Sequence, residues 1–203
     1  MGYESHLRMP LADWARVQAA LRGVVRDDAG IVARLRSVKS AAEVAKITQA
    51  CAIAGRAFAR VPQIARVGVP LSQVFRDFQR LCLEEGADWV PYLAGGAAQG
   101  GYGDVISPAS DAPLVAGDVL MLDTGLVWDG YFCDFDRNFS LGPSDAQTEA
   151  AHARLIEAVD AAAHIARPGA TAAQLFHAMD AIVTGGKGGS DAGRLGHGLG
   201  MQL

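Results

Sequence analysis

The stretch Gly117-Asp118-Val119-Leu120-Met121-Leu122-Asp123-Thr124-Gly125-Leu126-Val127-Trp128-Asp129-Gly130-Tyr131-Phe132-Cys133-Asp134-Phe135-Asp136-Arg137-Asn138-Phe139-Ser140-Leu141-Gly142 decides how this chain folds. Val119 to Trp128 is an apolar run that predicts a buried strand. Asp129-Gly130 is the favoured two-residue hairpin turn, and Tyr131 to Ser140 predicts the returning strand. A hairpin closed at that turn sets Asp134 opposite Gly125 and Asp136 opposite Asp123. Opposed residues share a face, and so do residues two apart on one strand. Asp123, Asp134 and Asp136 therefore fall on a single face, with Gly125 leaving space beside Asp134. A solvated acidic face is the ordinary reading of such a pattern. Here Leu120, Met121, Leu122, Phe132, Phe135 and Phe139 surround the carboxylates and imply burial. Buried like charges repel and lose hydration. Either Arg137 and other cations compensate them or a divalent metal does, and the apolar setting puts the metal first.

Outward from the hairpin lie two helix pairs. On the N-terminal side, Ser40-Ala41-Ala42-Glu43 reads as a capping box, and Val44, Ile47, Cys51, Ala54 and Phe58 keep helical spacing to about Pro62. A second helix is expected from about Pro70 to Glu85, with Leu71, Val74, Phe75, Phe78, Leu81 and Cys82 on one face and Gly86 as its stop. Past the hairpin, Ser144 with Gln147 opens a helix to about Arg167, and Thr171 with Gln174 opens another to about Thr184. The pairs look like copies. Ala65-Arg66-Val67-Gly68 is echoed by Ala166-Arg167-Pro168-Gly169, and Gln73-Val74-Phe75 by Gln174-Leu175-Phe176, at the same offset of 101 residues. A repeated helix pair followed by strands suggests two halves related by a pseudo-twofold axis and joined by a sheet. Near the start, Gly2-Tyr3-Glu4 reads as the end of a strand and Pro10 to Arg22 as a helix.

Composition bounds what such a fold can do. The 203 residues (21.2 kDa) suit one domain or one and a fraction. Half of them are apolar, and 18 basic against 22 acidic side chains give a net charge of −4, so nothing calls for a nucleic acid or an anionic membrane. Cys51, Cys82 and Cys133 are an odd count without a CxxC pair, which argues against a disulfide framework or a structural zinc and for a reducing cytoplasm. No apolar run approaches the ~20 residues of a membrane span, and a signal-peptide core is lacking. His197 stands out in Arg194-Leu195-Gly196-His197-Gly198-Leu199-Gly200, where flanking glycines allow a ligand pose free of neighbouring bulk. The glycine runs at Gly95–Gly103, Gly185–Ser190 and Gly196–Gly200 lack the strand-to-helix context of nucleotide loops.

Taken together, the run from Gly117 to Gly142, the eleven-residue spacing of Asp123 and Asp134, and Gly196-His197-Gly198-Leu199-Gly200 resemble the pita-bread-fold metallohydrolases. These include methionine aminopeptidase, Xaa-Pro aminopeptidase, prolidase and creatinase. The resemblance implies an α+β pita-bread fold, a pseudo-twofold repeat of two helix pairs on a curved antiparallel sheet. It also implies a site of two divalent ions (manganese, cobalt, zinc or iron) held by two aspartates, one histidine and two glutamates. Asp123 and Asp134 take the two aspartate positions, Asp134 the bridging one, and His197 takes the histidine. Tyr102 takes a substrate-binding position. Residues 40–203 are then a partial catalytic domain, with the second half incomplete, and residues 1–39 the tail of an N-terminal creatinase-like domain with its linker.

Two departures bear on function. By the repeat, the hairpin of the second half falls near residues ~224–235, so the glutamate ligands are expected outside this sequence, and metal binding here is partial or nil. Many members also carry a substrate-binding histidine just before the tyrosine, where this chain has Gly101. The first expectation is metal-dependent hydrolysis of a peptide bond, of the Xaa-Pro aminopeptidase or dipeptidase type. Cleavage of a C–N bond in a small molecule, as in creatinase or ectoine hydrolase, comes second. A catalytically silent domain that binds a peptide or protein is the third. The catalytic base is unassigned, and a homodimer is expected.

Overall fold

The computed structural model describes residues 10–23, 26, 28–103, 109–189 and 193–202. The chain divides into two compact units, Met1–Ala41 and Ala42–Leu203. Helices α1 (Leu11–Ala20) and α2 (Ile31–Ser37) belong to the first, and neither buries a residue. The strand expected at Gly2-Tyr3-Glu4 lies outside the described residues.

In the second unit α3 (Ala41–Ala59, all but its first residue), the one-turn α4 (Val61–Ile64) and α5 (Leu71–Glu84) precede five strands. These are β1 (Leu93–Gln99), β2 (Asp118–Thr124), β3 (Val127–Trp128), β4 (Tyr131–Phe132) and β5 (Phe135–Ser140). Helices α6 (Ala146–Ile165) and α7 (Ala172–Val183) follow. The antiparallel order β1-β2-β5 makes a three-stranded sheet, and β3-β4 a separate ribbon. The register is the one expected: Asp123 opposes Asp136, and Trp128 opposes Tyr131. Asp129 and Gly130 both take positive φ (46° and 78°), the conformation that matches a tight hairpin to strand twist.

The hairpin is not continuous, however. The β2–β5 ladder stops at Thr124, and on the β1 side the Gly125 N–H and the Thr124 hydroxyl both donate to the Tyr92 carbonyl (3.3 and 2.9 Å). Strand β1 is a further difference. Its sequence, LAGGAAQ, has no β-branched or aromatic residue, so propensity gives no sign of it. It forms because Gly95 lets it lie against β2; a Cβ there would sit 2.3 Å from the Met121 carbonyl oxygen.

Alternation gives the sheet two faces. One carries Leu120, Leu122, Phe135 and Phe139 into the core with α3 and α5. Phe58 meets Phe78, Phe135 and Phe139 there, at centroid distances of 4.7, 5.6 and 6.4 Å. Phe58 and Phe78 are buried, each contributing roughly 1.5–3 kcal/mol relative to exposure, while Phe135 and Phe139 are partly buried. Cys82 and Cys133 are buried free thiols in this core and Cys51 is partly buried, as small apolar residues would be. The other face carries Met121, Asp123, Asp136 and Asn138. The turn is tied to α3 by Lys46 on Asp129 (2.8 Å) and by the Tyr131 hydroxyl donating to Glu43 (3.0 Å).

The helix repeat has a structural counterpart. The bond from Val69 N–H to Arg66 C=O recurs from Ala170 to Arg167, and Gly68 and Gly169 both take positive φ. At the far ends, Ala87 N–H to Cys82 C=O matches Gly186 to Ala181, so α7, at 12 residues, stops two short of α5, at 14. Thr171 and Gln174 form the expected capping box on α7. On α6 the cap is Asp145, accepting from Thr148 N–H, and not Ser144, whose hydroxyl donates to Glu149 instead.

Candidate metal centre

Strand alternation and the tight turn bring Asp123, Asp134 and Asp136 to one end of the open face. Asp123 is partly buried at the end of β2. Its Oδ2 accepts the Tyr92 hydroxyl (2.5 Å), while its Oδ1 is buried with no donor. Burial, offset in part by that hydrogen bond, and then the Asp134 and Asp136 charges push the Asp123 carboxyl up to about 6. Asp134 stands in the gap between β4 and β5, and Asp136 is exposed.

His197 reaches this corner because the glycine-flanked segment docks on the ribbon, where Phe132 N–H donates to Gly200 C=O (2.8 Å). Its Nε2 lies 2.5 Å from Asp134 Oδ2, each side chain about a quarter exposed. Its Nδ1 lies 3.0 Å from the Gly198 carbonyl, an oxygen that can only accept, so Nδ1 carries the proton. The carboxylate at Nε2 also only accepts, so that contact is made through a ring N–H or through a cation held jointly with Asp134.

Arg137 does not compensate the carboxylates. Alternation turns it to the other face, where it lies over the Phe135 ring at 4.1 Å and donates to the Asp136 carbonyl. Tyr102 closes the other side of the corner, its hydroxyl donating to Asn138 Oδ1 (2.9 Å). Burial, followed by the charge of Asp136, raises its pKa. The sequence reading missed Tyr92. It lies 31 residues before Asp123 with no motif around it, so nothing short of the fold marks it.

Two carboxylates, one with an orphaned oxygen, and an imidazole are the donor chemistry of a hard or borderline divalent cation. The fit is partial: among the described residues no group of three His, Cys, Asp or Glu side chains is arranged to hold an ion.

Comparison with known proteins places these features in context. Residues 45–203 match the model of metallopeptidase family M24. The chain is 25% identical over its whole length to the Xaa-Pro dipeptidase of Pyrococcus horikoshii, of which it covers 58%. Its fold is similar to the solved X-Pro aminopeptidase of Thermotoga maritima (TM-score 0.79, 28% identity, 96% of this chain and 56% of that one). It is also similar to a dipeptidase from Mycobacterium ulcerans (TM-score 0.82, 29% identity, 96% and 53%). The chain thus spans a little over half the length of these relatives.

Proposed function

The chain belongs to metallopeptidase family M24, and from that premise we propose that it acts in metal-dependent hydrolysis of peptides of the Xaa-Pro type. The observation that carries this reading is the 2.5 Å approach of His197 Nε2 to Asp134, beside a buried Asp123 oxygen that lacks a partner. Small-molecule C–N hydrolysis and a silent binding domain are not favoured, since the relatives named above are all peptidases.

In this reading Asp123, Asp134 and His197 are the metal ligands that this chain supplies. Divalent cations bound there would lower the pKa of a water and polarise the scissile carbonyl. The protein's own groups prepare the place. Tyr92 fixes the Asp123 carboxylate through its hydroxyl. The Gly198 carbonyl holds His197 Nδ1 and leaves Nε2 facing Asp134. Tyr102 donates to Asn138, so its oxygen keeps an acceptor position for a substrate N–H. Residues 1–39 read as the tail of an N-terminal domain with its linker, and the cytoplasm as the compartment. Among the described residues no helix is long and apolar enough to cross a membrane.

Calorimetry with manganese or cobalt tests the ligand set. Three ligands where five are expected should bind weakly, and Asp134→Asn should weaken binding further, together with any turnover of a Xaa-Pro peptide. Unchanged metal binding in Asp134→Asn would rule the assignment out.

A further inference from the structure

The glycine run after α7 has no part in the candidate centre, yet it closes around a buried carboxylate. Asp180 lies in the last turn of α7 and is 4% exposed. A carboxylate there loses hydration and faces the negative end of the helix dipole, so burial and position both count against it. From the loop, the Gly189 N–H donates to its Oδ2 (2.8 Å). Beside it the Thr184 hydroxyl donates to the Asp180 carbonyl (2.6 Å) and accepts the Gly188 N–H (2.8 Å). Gly188 and Gly189 reach these acceptors at φ 68° and 70°, where an L side chain is strained. A composition that fits no nucleotide loop is what folding the chain back onto Asp180 demands.

Beyond this clasp comes the segment that carries His197. None of the described residues from 187 to 202 belongs to a helix or strand. Past His197 the segment is held where the Phe132 N–H donates to the Gly200 carbonyl (2.8 Å). The clasp and that bond therefore bracket the imidazole. With the clasp closed, Gly200 lies eleven residues on from the last held position, Gly189; with it open, Gly200 lies seventeen residues on from the end of α7 at Val183. Closing the longer loop is less favourable by about twofold, since the probability falls as the three-halves power of length.

We infer that Asp180 is a positioning residue for His197. By pinning Gly189 it fixes the length of chain from which the imidazole reaches Asp134. The inference rests on the reading of His197 as a metal ligand, and it extends the centre to a carboxylate on α7 that touches neither ion nor substrate.

Hydrogen exchange of the Phe132 amide in the metal-free 203-residue chain tests this, because that N–H reports docking at Gly200 directly. Asp180→Ala and Thr184→Val should each speed it about twofold or more while the amides of β2 and β5 keep their rates. Asp180→Asn, whose amide oxygen still accepts, should restore the parent rate. Manganese affinity, read by calorimetry, should fall by a similar factor in Asp180→Ala, and should not fall further when His197→Ala is already present. A Phe132 amide that ignores both Asp180→Ala and Thr184→Val, while the Thr184 amide at the end of α7 exchanges faster, makes Asp180 a cap of its own helix and overturns the positioning role alone. Acceleration that spreads equally to β2 and β5 overturns it too. Manganese affinity indifferent to His197→Ala removes the ligand reading, and the inference with it.

Discussion

Asp123 combines a satisfied oxygen, bonded to Tyr92, with a buried one that has no donor, and this sets how the metal-free chain responds to pH. Burial lifts its pKa from 3.8 to about 6, with Asp134 and Asp136 adding to the shift. Between those values the folded state binds more protons than the unfolded one. The contribution of this group is therefore present below about 4, falls as pH rises through the window, and is gone above about 6. Asp123→Asn should stabilise the metal-free chain at pH 7 by on the order of 1–2 kcal/mol and flatten the slope across the window. Urea unfolding at pH 5 and pH 7 measures both; an identical pH profile in the variant would mean that the carboxyl is solvated. Strand alternation puts Asp123 and Asp136 on one face, and Asp134 joins them from the gap between β4 and β5. The Tyr92 donor that lowers the cost of burying one of them lies outside any local pattern.

At the scale of elements, β1 is held by the absence of a side chain. A Cβ at Gly95 would lie 2.3 Å from the Met121 carbonyl oxygen, with Phe75 and Leu122 within 3.3 Å. Backbone cannot give way as a flexible side chain would, so Gly95→Ala should destabilise the protein by about 2–3 kcal/mol. Gly55, inside α3, has nothing within 4 Å of its added Cβ. There the helix propensity of alanine decides the sign, and Gly55→Ala should stabilise by about 0.5–1 kcal/mol. Denaturant midpoints of the two variants should move in opposite directions. If Gly95→Ala is neutral, β1 does not approach β2 as described.

Across the whole molecule the two helix pairs are alike in sequence and unlike in cover. Ala54 and Phe58 of α3 are 0% and 4% exposed, whereas Leu155 and Val159, 101 residues on, are 48% and 55% exposed. Strand β5 is also an edge of its sheet. An apolar helix face beside a strand edge favours association, and we propose that the chain forms homodimers or larger assemblies through this side. Light scattering should show a mass above that of the monomer at micromolar concentration, and Ile156→Lys with Val159→Lys should lower it. A monomer that the double substitution leaves unchanged would refute the proposal.

The sequence by itself determined what depends on neighbours a few residues away. Asp129-Gly130 with period-two alternation allows one hairpin register, and that register places Asp123 opposite Asp136. Thr171 and Gln174 cap α7 through bonds spanning three residues, apolar spacing locates α3 and α5, and capping residues locate the starts of α6 and α7. Only the tertiary structure decided the break at Gly125, the pairing of β1 with β2, the Tyr92 bond to Asp123, and the approach of His197 to Asp134. Each of these joins segments far apart in the chain, where shape and close approach choose the partner. Periodicity carries no information about which distant group will fill a given space.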